Sequence, residues 1–142
     1  MEKQKYAAIV LAAGSGKRMN SQVHKQYLII QDRPVLYYSL KAFEDSAVDE
    51  IVLVVGKGEE EFCRKEIVDK YGISKVKAIV EGGKERYHSV FEGLKQTSDA
   101  DYVLIHDGAR PFVNQEIIRR CMLEVPEYQA CVVGMPVKEK FL

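Results

Sequence analysis

The sequence predicts an α/β fold in which a mostly parallel sheet carries helices on both faces. Five apolar, largely β-branched runs recur along the chain, at residues 6–13, 51–55, 77–80, 102–105 and 130–133. Continuous apolar runs of this length are typical of strands that are covered on both sides. Segments of helical length separate the runs, as the crossover connections of parallel strands require. Together these observations indicate a doubly wound sheet.

The helices are predicted from apolar residues spaced three or four positions apart. The first is expected over residues 35–43, the second over 59–71, the third over 85–96, and the fourth begins after Asn114, a candidate N-cap. Glu116 in the first turn of the fourth helix complements the helix dipole. The residues expected to face the core are Leu36, Leu40 and Phe43, then Phe62, Ile67 and Tyr71, then Val90, Phe91 and Leu94, and finally Ile117, Ile118 and Cys121.

Composition limits the classes of function. Among 142 residues, 21 lysines and arginines balance 21 acidic residues, so no overall positive field favours nucleic acid. No run of 18 apolar residues predicts a membrane span, and the first residues lack the apolar segment of a signal peptide. Cys63, Cys121 and Cys131 are odd in number and widely spaced, which favours reduced core cysteines. These features predict a cytoplasmic protein without nucleic-acid or membrane partners.

A basic, glycine-containing loop follows the first predicted strand. Gly14 and Gly16 precede Lys17 and Arg18, and no acidic residue occurs between positions 2 and 32. Glycines allow a tight turn whose amides can form an anion-binding concavity, so the loop suits a polyphosphate. Met19 stands where the dinucleotide-binding fingerprint needs a small residue, and the P-loop pattern is not matched either. An ordinary strand-to-helix turn that happens to be basic stays an alternative.

Two further polar loops follow predicted strands, at residues 81–89 and 106–111. Ligands of doubly wound folds bind beyond the carboxyl ends of the strands. Asp107 is placed to hold Mg²⁺, which takes one or two carboxylates together with phosphate oxygens and water. A helix cap or an ion pair with Arg110 is the alternative for this carboxylate, and His106 is more typical of a hydrogen-bonded structural residue. Because no activated nucleophile is evident, the inventory favours phosphoryl or nucleotidyl transfer, in which catalysis is mainly positioning and charge neutralisation.

Three motifs carry a family resemblance, at residues 11–19 with Lys25-Gln26-Tyr27, at residues 82–86 with Ser89 and Val90, and at residues 106–111. In this order they resemble the cytidylyltransferases, and in particular the 2-C-methyl-D-erythritol 4-phosphate cytidylyltransferases of non-mevalonate isoprenoid synthesis. The related ribitol-5-phosphate cytidylyltransferases share the pattern. The resemblance implies a Rossmann-like nucleotidyltransferase fold, transfer of CMP from CTP to a sugar-alcohol phosphate, release of pyrophosphate, and Mg²⁺ as cofactor.

The resemblance also implies roles for individual residues. Arg18 and Lys25 match the catalytic pair that stabilises the transition state, Asp107 matches the metal ligand, and Arg110 matches a substrate-binding position. Lys84 stands where the family has an acidic residue, which departs from its pattern. The positions that match nucleotide-binding ones are Leu11, Ala12, Ala13, Gly14, Ser15, Gly16, Gly82, Gly83 and Ser89.

The resemblance weakens at the carboxyl end. The family continues with Pro-Val-[Arg/Lys]-Asp-Thr, whereas this chain has Pro136-Val137-Lys138-Glu139-Lys140. Residues 1–142 are therefore expected to form one nucleotidyltransferase domain that lacks the family's C-terminal part and its dimerisation arm, although the family is homodimeric. The alternatives are a truncated relative that binds CTP with weak activity, and an unrelated module with coincidental loops.

Overall fold

The computed structural model describes residues 4–13, 29–30, 32–108, 113–128 and 130–133. Within them a five-stranded sheet has the order β5-β4-β1-β6-β7, and all its neighbouring strands run parallel. Two short strands, β2 and β3, pair antiparallel beside it. The strands are β1 (Tyr6–Ala12), β2 (Ile29–Ile30), β3 (Arg33–Pro34), β4 (Glu50–Val55), β5 (Val76–Glu81), β6 (Tyr102–Asp107) and β7 (Ala130–Val133). The predicted fold class and all five predicted strands are confirmed.

In the described residues, four α-helices lie between the strands. They are α1 (Val35–Glu44), α2 (Glu60–Cys63), α3 (Arg86–Lys95) and α4 (Gln115–Tyr128), and a π-helical segment, Arg64–Asp69, continues α2. The Asn114 side chain accepts a hydrogen bond from the Ile117 N–H at 3.0 Å, which confirms the predicted N-cap of α4. In the part of the chain that the structure describes, no helix has the length and apolar character needed to cross a membrane.

The sheet separates two apolar layers. One layer joins alternate strand residues such as Val10 and Leu53 to Leu40 and Phe43 of α1 and to Ile118 of α4. The other contains Ile9, Leu11, Val52, Val54 and Val103, against which Val90 of α3 packs. Burial of each such side chain contributes about 1.5–3 kcal/mol, so both layers stabilise the fold substantially. Cys63 is buried within the first layer and Cys121 packs against it, as predicted for core cysteines.

Three predicted core residues are wrong. Phe91 is 59% exposed and Leu94 is 42% exposed, because α3 approaches the sheet through small residues instead. A Cβ on Gly93 would lie 2.8 Å from Cγ2 of Ile9, so this close approach depends on glycine. Phe62 is 47% exposed, whereas the adjacent residues Ile67 and Val68 of the π-helical segment after it are both buried.

The Glu44 carboxylate joins the end of α1 to the loop before β5. It accepts hydrogen bonds from the backbone N–H of Ser74 at 3.0 Å, from that of Lys75 at 2.9 Å, and from the Ser74 hydroxyl. Burial acts to raise the pKa of Glu44, but these hydrogen bonds outweigh it and the net pKa is lowered from the usual 4.5.

We expect Glu44→Gln to make the free energy of unfolding depend less on pH under acidic conditions. The lowered pKa means that ionised Glu44 stabilises the fold above pH 4.5, and that this contribution is lost as pH falls through the folded-state value. The glutamine variant should therefore be less stable at pH 7 by about 1 kcal/mol and should differ less from the original chain at pH 3. Urea unfolding at both pH values measures this, and an equal loss at both would contradict the assignment.

Candidate functional site

The order of the strands reverses between β1 and β6, and the carboxyl ends of these two strands form one edge. Leu11 of β1 lies in register with Asp107 of β6. Immediately beyond them, the Gly108 N–H donates to the Leu11 carbonyl oxygen at 2.8 Å. In doubly wound folds a ligand binds at such a reversal, outside the carboxyl ends of the strands. The edge made by Leu11, Asp107 and Gly108 is therefore the candidate site.

Gly108 is confined by its surroundings. A Cβ at this position would lie 2.7 Å from Cδ1 of Leu36 and 3.1 Å from the Leu11 carbonyl oxygen. The Ser39 hydroxyl donates to the Gly108 carbonyl oxygen at 3.3 Å and lies 3.2 Å from Nε2 of His106. A larger side chain would separate the two strand ends, so the floor of the site depends on glycine.

His106 supports this floor from the side of the sheet that α1 covers. Its side chain is fully buried, it contacts Ser39, and its ring packs on Phe43 with 5.7 Å between centroids. The prediction that His106 is a hydrogen-bonded structural residue is confirmed. Ser39 was not predicted. The sequence pattern that could have indicated Ser39 is a hydroxyl on the apolar face of a helix, between Leu36 and Leu40. A buried hydroxyl needs a hydrogen-bonding partner.

The end of β1 also meets the loop after β5. The Gly82 N–H donates to the Val55 carbonyl oxygen at 2.7 Å, which extends the pairing of β5 with β4. A Cβ on Gly82 would lie 2.7 Å from Cβ of Ala13 and would overlap the Ser89 hydroxyl. Ser89 itself is buried in the first turn of α3. The fold thus brings Ala13, Gly82 and Ser89 into contact, although they are far apart in sequence.

Asp107 lies at this edge and on the α3 side of the sheet. Side chains alternate along a strand, and Val103 and Ile105, which precede it at intervals of two, belong to the layer under α3. Within the described ranges, no three histidine, cysteine, aspartate or glutamate side chains gather in a metal-binding group. A single carboxylate suits Mg²⁺, which takes its remaining ligands from phosphates and water, better than a metal that needs an all-protein cage.

The other predicted site residues divide into two groups. Leu11 and Ala12 are the last two residues of β1, and Gly83 packs against the His88 side chain. Lys84 is exposed beside them. The residues that lie outside the described part of the chain are Gly14, Ser15, Gly16, Arg18, Lys25 and Arg110.

A parallel sheet whose strand order reverses at β1, with glycine-containing loops at its carboxyl edge, places the chain in the class of doubly wound, Rossmann-like α/β proteins. The family model described as IspD, 2-C-methyl-D-erythritol 4-phosphate cytidylyltransferase, matches residues 6–141. The chain belongs to this family.

Relatives and solved structures agree with the family. A 2-C-methyl-D-erythritol 4-phosphate cytidylyltransferase of Lachnoclostridium phytofermentans is 54% identical over 136 residues, which are 96% of this chain and 58% of that protein. One from Lachnospira eligens is also 54% identical, over 93% of this chain and 58% of its own length. The crystal structure of 4-diphosphocytidyl-2C-methyl-D-erythritol synthase from Anaerococcus prevotii superimposes with a TM-score of 0.71 at 32% identity, covering 86% of this chain and 51% of that one. The chain therefore spans little more than half the length of these relatives.

Proposed function

We propose that this chain binds CTP with Mg²⁺ and transfers CMP to 2-C-methyl-D-erythritol 4-phosphate, with release of pyrophosphate. The observation that carries the proposal is the contact of Ala13, Gly82 and Ser89 at the strand reversal of a chain that belongs to this family. Residues 1–142 would act as one nucleotidyltransferase domain in the cytoplasm. Its partners would be CTP and a sugar-alcohol phosphate, and no nucleic acid or membrane would take part.

The base and the triphosphate would occupy opposite parts of the edge. The narrow turn at Gly82 and Gly83, with Ser89 beneath it, would border the cytosine, because a turn without side chains leaves room for a pyrimidine. Backbone amides from Ala12 to Gly16 would face the phosphates. Asp107 would hold Mg²⁺, which supplies positive charge to the phosphate oxygens.

The reaction needs no general base on the protein. A phosphate monoester has a second pKa of about 6, so the acceptor is already largely a dianion near neutral pH. One of its oxygens would attack the α-phosphorus of CTP while the bond to pyrophosphate breaks. The main obstacle is repulsion between anions. Arg18 and Lys25 would offset it by binding the charge that accumulates in the transition state, and Arg110 would bind the acceptor.

Two measurements test the proposal. Thermal unfolding should shift upward with CTP–Mg²⁺ and much less with ATP–Mg²⁺, because a ligand specific to the folded state stabilises it. Pyrophosphate release should then require 2-C-methyl-D-erythritol 4-phosphate and should be much slower with ribitol 5-phosphate. A CTP shift without turnover would indicate a CTP-binding relative of weak activity, and the absence of any shift would contradict the proposal.

A further inference from the structure

We propose that His88 is a positioning residue that fixes the glycine turn at residues 82–83 against the first turn of α3. The inference rests on the proposed function for the identity of the ligand, since this turn would border the cytosine. It concerns a side chain that would touch neither the nucleotide nor the acceptor, and that shapes the site through Glu85 and Gly83.

Two contacts carry the inference. Nδ1 of His88 accepts a hydrogen bond from the Glu85 N–H at 3.2 Å, and the two residues form a capping box at the start of α3. The backbone of Gly83 lies directly against the same side chain, since a Cβ on Gly83 would come within 2.9 Å of Cγ of His88. His88 therefore contacts the loop at Gly83 and at Glu85.

These contacts fix the loop because they act on both sides of Lys84. Glu85 is the N-cap of α3, and its N–H has no place in the helical hydrogen-bonding pattern. Ser89 follows His88 in the first turn of α3. The Ser89 hydroxyl lies under Gly82. Loss of the His88 contact would release the Glu85 N–H and widen the loop, so the position of Gly82 over Ser89 would no longer be held.

A pair of substitutions separates this role from simple packing. Glutamine is the residue that commonly closes a capping box from this position, so His88→Gln should keep the bond to Glu85, whereas His88→Leu keeps bulk without an acceptor. We expect His88→Leu to weaken CTP binding about tenfold, as the loss of one cap corresponds to roughly that factor, and His88→Gln to retain affinity within about threefold. Lys95→Leu, an exposed change on the same helix, is the matched control.

The readouts are CTP affinity by calorimetry, with UTP for comparison, and hydrogen exchange at the Glu85 amide. Exchange should rise about tenfold in His88→Leu and stay near the original rate in the other two variants. Unchanged affinity and exchange in His88→Leu, or a glutamine variant that behaves like the leucine variant, would overturn the inference. If the original chain binds no CTP, the proposed function fails, and Glu85 exchange then decides separately whether His88 holds the turn.

Discussion

Gly82→Ala is expected to abolish detectable CTP binding and to lower the free energy of unfolding by about 1–3 kcal/mol. The added methyl group would overlap the Ser89 hydroxyl and lie 2.7 Å from Cβ of Ala13. Neither neighbour can move easily, because Ser89 is buried in α3 and Ala13 directly follows the central strand. Relief of the clash must therefore shift the loop after β5 away from β1, which opens the edge where the nucleotide would bind.

Gly72→Ala provides the matched control for this substitution. Gly72 has a φ of +69°, yet a Cβ there would meet nothing within 4 Å. Its replacement should cost about 1 kcal/mol through backbone strain alone and should leave CTP affinity unchanged. Chemical denaturation and calorimetry compare the two variants directly. A Gly82→Ala protein that binds CTP like the Gly72→Ala protein would show that the contact of β1, β5 and α3 is not part of the site.

The strands and the position of the site could be predicted from sequence because both depend on local signals. A continuous apolar run such as residues 51–55 marks a strand wherever it packs, and a polar loop directly after it marks the carboxyl end. Asp107 was predicted at the edge in this way, since its position follows from the length of one strand. Likewise, Ala130–Val133 has the bounds that were predicted.

The face of α3 could not be predicted in the same manner. Helical periodicity favours the large residues Phe91 and Leu94 as the buried side, but the sheet packs against Ser89 and Gly93. Close packing through small residues depends on the shape of the opposing strands, where Ile9 and Val54 approach the helix backbone. That complementarity becomes visible only when the strands are assembled. The proposed role of His88 could not be predicted for the same reason, because it depends on contacts with Gly83 and Glu85 that exist only once the turn has folded.

Asp107→Asn is expected to remove the Mg²⁺ dependence of CTP binding and to slow pyrophosphate release by about 10²–10³-fold. Asparagine preserves the shape of the side chain but removes the charge that a hard divalent cation requires. CTP affinity measured with Mg²⁺ and with chelator should differ in the original chain and should be nearly equal in the variant. Asp45→Asn is the control, since this exposed carboxylate forms an ion pair with Lys41 at the C-terminal end of α1, away from the site edge.

The same comparison decides between a metal ligand and a structural carboxylate. If Asp107 served as a helix cap or a partner of Arg110, its replacement would lower the free energy of unfolding while the Mg²⁺ dependence persisted. The Gly82→Ala variant should behave differently from either outcome for Asp107→Asn, because the part of the site that would contact the base does not involve the metal. It should bind no CTP detectably with either Mg²⁺ or chelator, whereas Asp107→Asn should lose only the metal-dependent part of the affinity. Opposite patterns in the two variants would separate base recognition near Gly82 from phosphate neutralisation near Asp107 within one site.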